Sequence, residues 1–159
     1  MGSDFVLPII ESVYHIFEVE LGVTAQRGPV ILEAQCAGPS GITVFIGMTG
    51  PISGTLVLGF PDATARRIAD HLLDCEPDLS ADIVAETFAQ LARTLARNAR
   101  LRLCLSQDQA TEMCLPIVVH GQHFFVCHQR ESSWIDIPFA SGHGPFSLRL
   151  ALAAEKVPV

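Results

Sequence analysis

Glu86, Gln90 and Arg93 lie four and three residues apart in the segment SADIVAETFAQLARTLARNARLR, residues 80–102. On a helix this spacing sets an acid, an amide and a guanidinium along one strip. A carboxylate there can salt-bridge a partner's lysine. A carboxamide can hold a water in line with a phosphoryl group, and phosphoryl hydrolysis asks a protein for little beyond such positioning. The competing reading is a solvated helix face whose charges only support the helix. The other chemical candidate, HGQHFFVCH, holds His120, His123, Cys127 and His128. Neighbours such as Cys127 and His128 point to opposite faces of a strand. No second ligand pair completes the four that zinc requires, so no metal is expected. The sequence has no GxSxG and no phosphate-binding glycine loop opening a helix, which leaves nucleophilic catalysis and nucleotide binding without a motif.

The strip has to be carried by a helix that buries its other side. Val84, Phe88, Leu91, Ala92, Leu95 and Ala99 recur at the helical period and form that side, while Glu86, Gln90, Arg93, Arg97 and Arg100 face away. Ser80 is placed to cap the start. Upstream, LPIIESVYHIFEVE at 7–20 reads as a first helix with Pro8 at its first position and Gly22 as its stop. Pro61 opens another helix, PDATARRIADHLLD, with Asp62 at the positive end of its dipole. Strands are expected at 29–34, 43–48 and 54–60, and again at 111–119 (broken at Pro116), 124–129, 133–139 and 146–153.

Helix, three strands, helices, then three or four strands makes the class α+β, with a mostly antiparallel six-stranded sheet and the long helices on one face. GPISGTLVL at 50–58 echoes GPFSLRLAL at 144–152, which suggests a duplicated unit of one helix and three strands. The 159 residues suit one domain, 1–159. The chain is 49% apolar with mean hydropathy +0.37, so a second buried surface is expected, most simply a homodimer interface. Net charge −7 argues against nucleic acid. No apolar run is long enough to span a membrane. The N-terminus lacks a basic region, so no signal peptide is expected. Five cysteines without a CxxC read as reduced, mostly buried thiols of a cytoplasmic protein.

In order and spacing, PIIESVYHIFEVELG, ISGTLVLGFPDATARRIADHLL, LARNAR, CLPIVVHGQHF and IPFASGHGPFSLRLAL resemble the CheX branch of the CheC/CheX/FliY family of chemotaxis phosphatases. The resemblance implies action on a phosphorylated CheY-like response regulator, one site per chain, and homodimers formed through the sheets. It also implies no cofactor on the phosphatase, because the receiver domain brings its own phosphoaspartate and Mg²⁺. The family motif is Asp or Ser, three residues, Glu, two residues, Asn; the Glu engages the regulator's lysine and the Asn orients the attacking water. Aligned by LARNAR, those positions are Glu86, Gln90 and Arg93, and Arg97 replaces a glycine. Arg93 has no acceptor with which to orient a water. Asn98 is read as structural. The expected function is docking on a phosphorylated receiver through the polar face of 80–102, with dephosphorylation lost or weakened. The alternative moves the roles one turn, with Glu86 taking the lysine and Gln90 the water. A non-enzymatic dimerisation module is the remaining possibility.

Overall fold

A computed structural model of the chain describes residues 3–33, 36–37, 41–50, 52–74, 80–107, 111–121, 125–126 and 134–154. In chain order the elements are α1 (Ser3–Glu20), β1 (Ala25–Arg27), β2 (Ile31–Glu33), β3 (Cys36–Ala37), β4 (Gly41–Thr49), β5 (Ile52–Pro61), α2 (Asp62–Leu72) and α3 (Ala81–Gln107). The second half continues with β6 (Glu112–Met113), β7 (Ile117–Gly121), β8 (Phe125–Val126), β9 (Trp134–Ser141) and β10 (Phe146–Ala154). The fold is the expected α+β class. The sheet runs β1-β9-β10-β5-β4-β6, with β2 also on β9 and β7 also on β4, and every pairing is antiparallel. It is six positions wide, as expected, but has eight strands among the described residues, because each outer position is shared by two short ones. The breaks fall at 28–30 and 114–116. They contain Pro29 and Pro116, which cannot donate to a ladder.

Alternation explains why these segments are strands. Ile42, Val44, Ile46 and Met48 of β4, Leu56, Leu58 and Phe60 of β5, Ile137 and Phe139 of β9, and Phe146, Leu148 and Leu150 of β10 are buried in one core with the helices. The repeat seen in the sequence has a structural counterpart. Gly50 and Gly144 precede β5 and β10 with φ of 121° and 122°, a conformation that favours glycine. Matching those glycines makes Leu56 equivalent to Leu150, and these two are direct partners in the β5–β10 ladder. The two halves therefore meet about this central pair, and each half's split outer position pairs with a strand of the other half. This arrangement fits the duplicated helix-plus-three-strands unit.

On the sheet's other face Val57, Trp134 and Ala151 form a small buried cluster with Phe45 against it. Beside it Arg149 Nε lies 3.3 Å from Asp136 Oδ2, their side chains 16% and 11% exposed.

Three details differ from expectation. Helix α1 begins at Ser3, so Pro8 lies inside it. The missing N–H would have bonded the carbonyl near the helix start, and the helix continues with Ser12 Oγ donating to Pro8 O at 2.9 Å. Helix α3 runs five residues past Arg102 because Leu103, 1% exposed, continues the buried series of Leu95 and Ala99. Cys104 is half-buried and Cys114 is exposed, both free; Cys114 sits in the break between β6 and β7, not in the core. Cys75 and Cys127 lie outside the described residues.

Candidate functional site

Helix α3 is set at its start by Ser80, whose Oγ accepts from the backbone N–H of Ile83 at 3.2 Å. Asp82 in the first turn suits the positive end of the dipole. The rotation of the helix is set by what it buries. Phe88, Ala92, Leu95, Ala99 and Leu103 are at most 3% exposed. Phe88 rests on Phe60 with ring centroids 5.1 Å apart. Phe60 stacks on Phe146, and Phe146 on both Phe17 and Phe139. A run of aromatic rings thus connects α1, β9, β10 and β5 to Phe88, which lies in α3 between Glu86 and Gln90. Such pairs contribute roughly 0.5–1.5 kcal/mol each beyond their burial, and burial of a Phe side chain contributes about 1.5–3 kcal/mol.

With that face inward, Ile83, Glu86, Gln90, Arg93, Arg97 and Arg100 are all exposed. Their alternating steps of three and four keep them on one straight strip, about 25 Å long at 1.5 Å per residue. The three motif positions identified from the sequence are therefore brought together, side by side and open to solvent. A crevice under α3, lined by Val13, Phe17, Phe60, Phe88, Leu91 and Leu95 among others, is apolar. Its lining offers no polar group that could orient a water.

The charges on the strip are arranged in pairs. Arg93 Nη1 donates to Glu86 Oε1 at 3.3 Å, with side chains 48% and 59% exposed. Residues seven apart on a helix are about 10 Å apart along the axis. The arginine therefore reaches back towards the N-terminus, the direction helical side chains lean. Sequence reading did not anticipate this contact, although a basic residue two turns after an acid on one face was the signal for it. Further along, Arg100 Nη2 bonds Glu112 Oε1 at 3.0 Å and Arg102 Nη1 bonds Glu11 Oε2 at 3.2 Å. These tie α3 to the sheet edge and to α1. Arg102 Nε also donates to Asn98 Oδ1 at 2.7 Å, which gives Asn98 the structural role read from its position. The Arg97 side chain makes no ion pair or hydrogen bond among the described residues.

Elsewhere the chemistry thins out. His120 is exposed on β7, while His123, Cys127 and His128 lie outside the described residues. Among the described residues no three metal-ligating side chains come together. His143 Nε2 lies 3.1 Å from Leu21 O, its ring 5.2 Å from that of His71, a contact that secures the end of α1. No helix among the described residues is long and apolar enough to cross a membrane.

The family model described as "Chemotaxis phosphatase CheX" matches residues 42–140, well over half of the chain. No curated protein matches by sequence. Among solved structures, the chemotaxis protein CheX of Desulfovibrio desulfuricans superposes with a TM-score of 0.84 at 17% identity, covering 94% of this chain and 99% of that one. A CheC-like superfamily protein of Shewanella sp. PV-4 gives 0.83 at 22% identity, covering 96% and 99%. The Borrelia burgdorferi protein in a CheX-CheY-BeF3-Mg²⁺ complex gives 0.77 at 18%, covering 93% and 97%. A six-wide antiparallel sheet with a long exposed helix, shared along nearly the whole chain with these structures, and a family match across its middle lead to one assignment: the chain belongs to the CheX family of chemotaxis phosphatases.

Proposed function

We propose that the protein docks on a phosphorylated CheY-type receiver domain through the exposed face of α3 and does not hydrolyse the aspartyl phosphate at a useful rate. One observation carries the reading. Glu86, Gln90 and Arg93 form the centre of an open strip, and the arginine is paired with the only carboxylate of that trio. A guanidinium donates and never accepts, so Arg93 cannot orient a water for attack. The related Borrelia burgdorferi protein is seen in complex with CheY carrying BeF3 and Mg²⁺, which supports a receiver as the partner here. The metal belongs to the receiver in this reading, and the chain needs no cofactor of its own. The meeting place is the cytoplasm.

We also infer a homodimer formed at the sheet's margins. The β7 edge exposes Ile117 (63%), with Leu115 (80%) just before it, and the β2 edge exposes Leu32 (72%). Apolar edge strands of this kind invite pairing with another copy.

The test is direct. Receiver domains of the same organism, loaded with BeF3 and Mg²⁺, are titrated with the protein by calorimetry, and phosphate release from the acetyl-phosphate-loaded forms is followed beside it. Saturable binding without faster release is expected. Faster release that disappears in Gln90→Ala would favour the shifted pair of Glu86 and Gln90. Absence of binding to every receiver would overturn the docking surface.

A further inference from the structure

We infer that Arg93 and Arg97 make this face a cover for the phosphoryl group, so that docking prolongs the life of the receiver's aspartyl phosphate. The inference rests on the docking proposed above and concerns what happens after it. Arg93 and Arg97 are one turn apart on the strip, both exposed, and neither carries an acceptor. Arg97 has no partner among the described residues. Among the described residues Arg93 is held only by Glu86, in an exposed pair that water screens. Charge-assisted contacts to a dianionic phosphoryl group are the stronger option for a guanidinium. The exchange has a second half, since Glu86 is released for a cation on the receiver as Arg93 turns to the phosphoryl oxygens. The placement is selective in a chain of net charge −7. The strip ends in three arginines, and its one acid is already paired with the first of them.

Loss of phosphate needs a water oxygen to bond to phosphorus while the bond from phosphorus to the receiver's carboxylate oxygen breaks. The electron pair stays on the carboxylate and the water gives up a proton. That water must point a lone pair at phosphorus and its hydrogens at an acceptor. Two guanidinium groups over the phosphoryl face invert this, because a water beside them directs its lone pair to the cations. They also fill the space from which it would approach.

The experiment measures two quantities on one receiver, its affinity in the BeF3-Mg²⁺ form and the half-life of its acetyl-phosphate-derived aspartyl phosphate. With the protein at about ten times its Kd, full cover lengthens the half-life about tenfold, because only the free fraction decays. In Arg93→Ala/Arg97→Ala the lengthening is lost at equal occupancy. Binding with an unchanged or shortened half-life overturns the cover and leaves the docking intact. A lengthening that persists in the double variant overturns the assignment to these two arginines. No binding at all overturns the docking and the cover together. A separate thermal melt of the variant guards the rate comparison against misfolding.

Discussion

Two ion pairs in this protein have the same N···O separation and should differ several-fold in what their loss costs. Arg93–Glu86 and Arg149–Asp136 are each 3.3 Å apart. The first is 48% and 59% exposed and the second 16% and 11%. Water screens the exposed pair, and two long side chains lose entropy to hold it, so Arg93→Ala should change stability by less than about 1 kcal/mol. Arg149→Met leaves the Asp136 carboxylate, 8% exposed, without its cation inside the sheet's second face. Such uncompensated burial costs about 3–5 kcal/mol. In a chain of this size each kcal/mol moves Tm by roughly 2–4 °C, so Arg149→Met should melt on the order of 10 °C lower while Arg93→Ala melts within a few degrees of the parent. Replacing both partners, Asp136→Leu with Arg149→Met, removes the stranded charge and should recover most of the loss. Urea unfolding at neutral pH, read by circular dichroism, measures all four proteins. If the two arginine variants lose the same stability, burial is not what separates these pairs and the reasoning fails.

The ring contacts under α3 make Phe88→Ala a second test; the cavity left at Phe60 should cost about 3–5 kcal/mol and weaken receiver binding through misorientation of the strip, both measurable on one sample. Gln90→Glu with Arg93→Asn rebuilds the family's acid-x-x-Asn spacing on a helix already in place, so receiver dephosphorylation should accelerate; an unchanged rate would mean the strip is not where the receiver's phosphoryl group docks. Ile117→Lys should convert a dimer to a monomer in a solution mass measurement, whereas a parent protein that is already monomeric would remove the edge-pairing proposal.

Much of the fold was legible locally. The apolar positions of α3, its Ser80 cap and the alternating strands β4, β5 and β10 each follow from residues within a few positions of one another. Periods of 3.6 and 2 are properties of the backbone itself. The echo between residues 50–58 and 144–152 points to two similar halves, and spacing alone puts Glu86, Gln90 and Arg93 on one exposed strip, while their place in the family motif comes from the resemblance. The misreadings were also local. Pro8 reads locally as a helix start, although α1 begins at Ser3 and accommodates it inside, and the local pattern ends at Arg102, before Leu103.

Tertiary structure decided which elements face one another and which side chains that leaves free. Leu56 meets Leu150, 94 residues later in the chain, because the two halves pair through their last strands, and nothing in either strand specifies its partner. Phe88 turns α3 through the rings of Phe60 and Phe146. That contact, and not the helical period, sets the direction in which Glu86 and Gln90 point. The period says that one face is apolar; only packing says what covers it and how far it is buried. The Arg93–Glu86 and Arg149–Asp136 pairs show the same division. Residue types name possible partners, but whether a pair stands in water or inside the sheet depends on atoms brought together from distant parts of the chain.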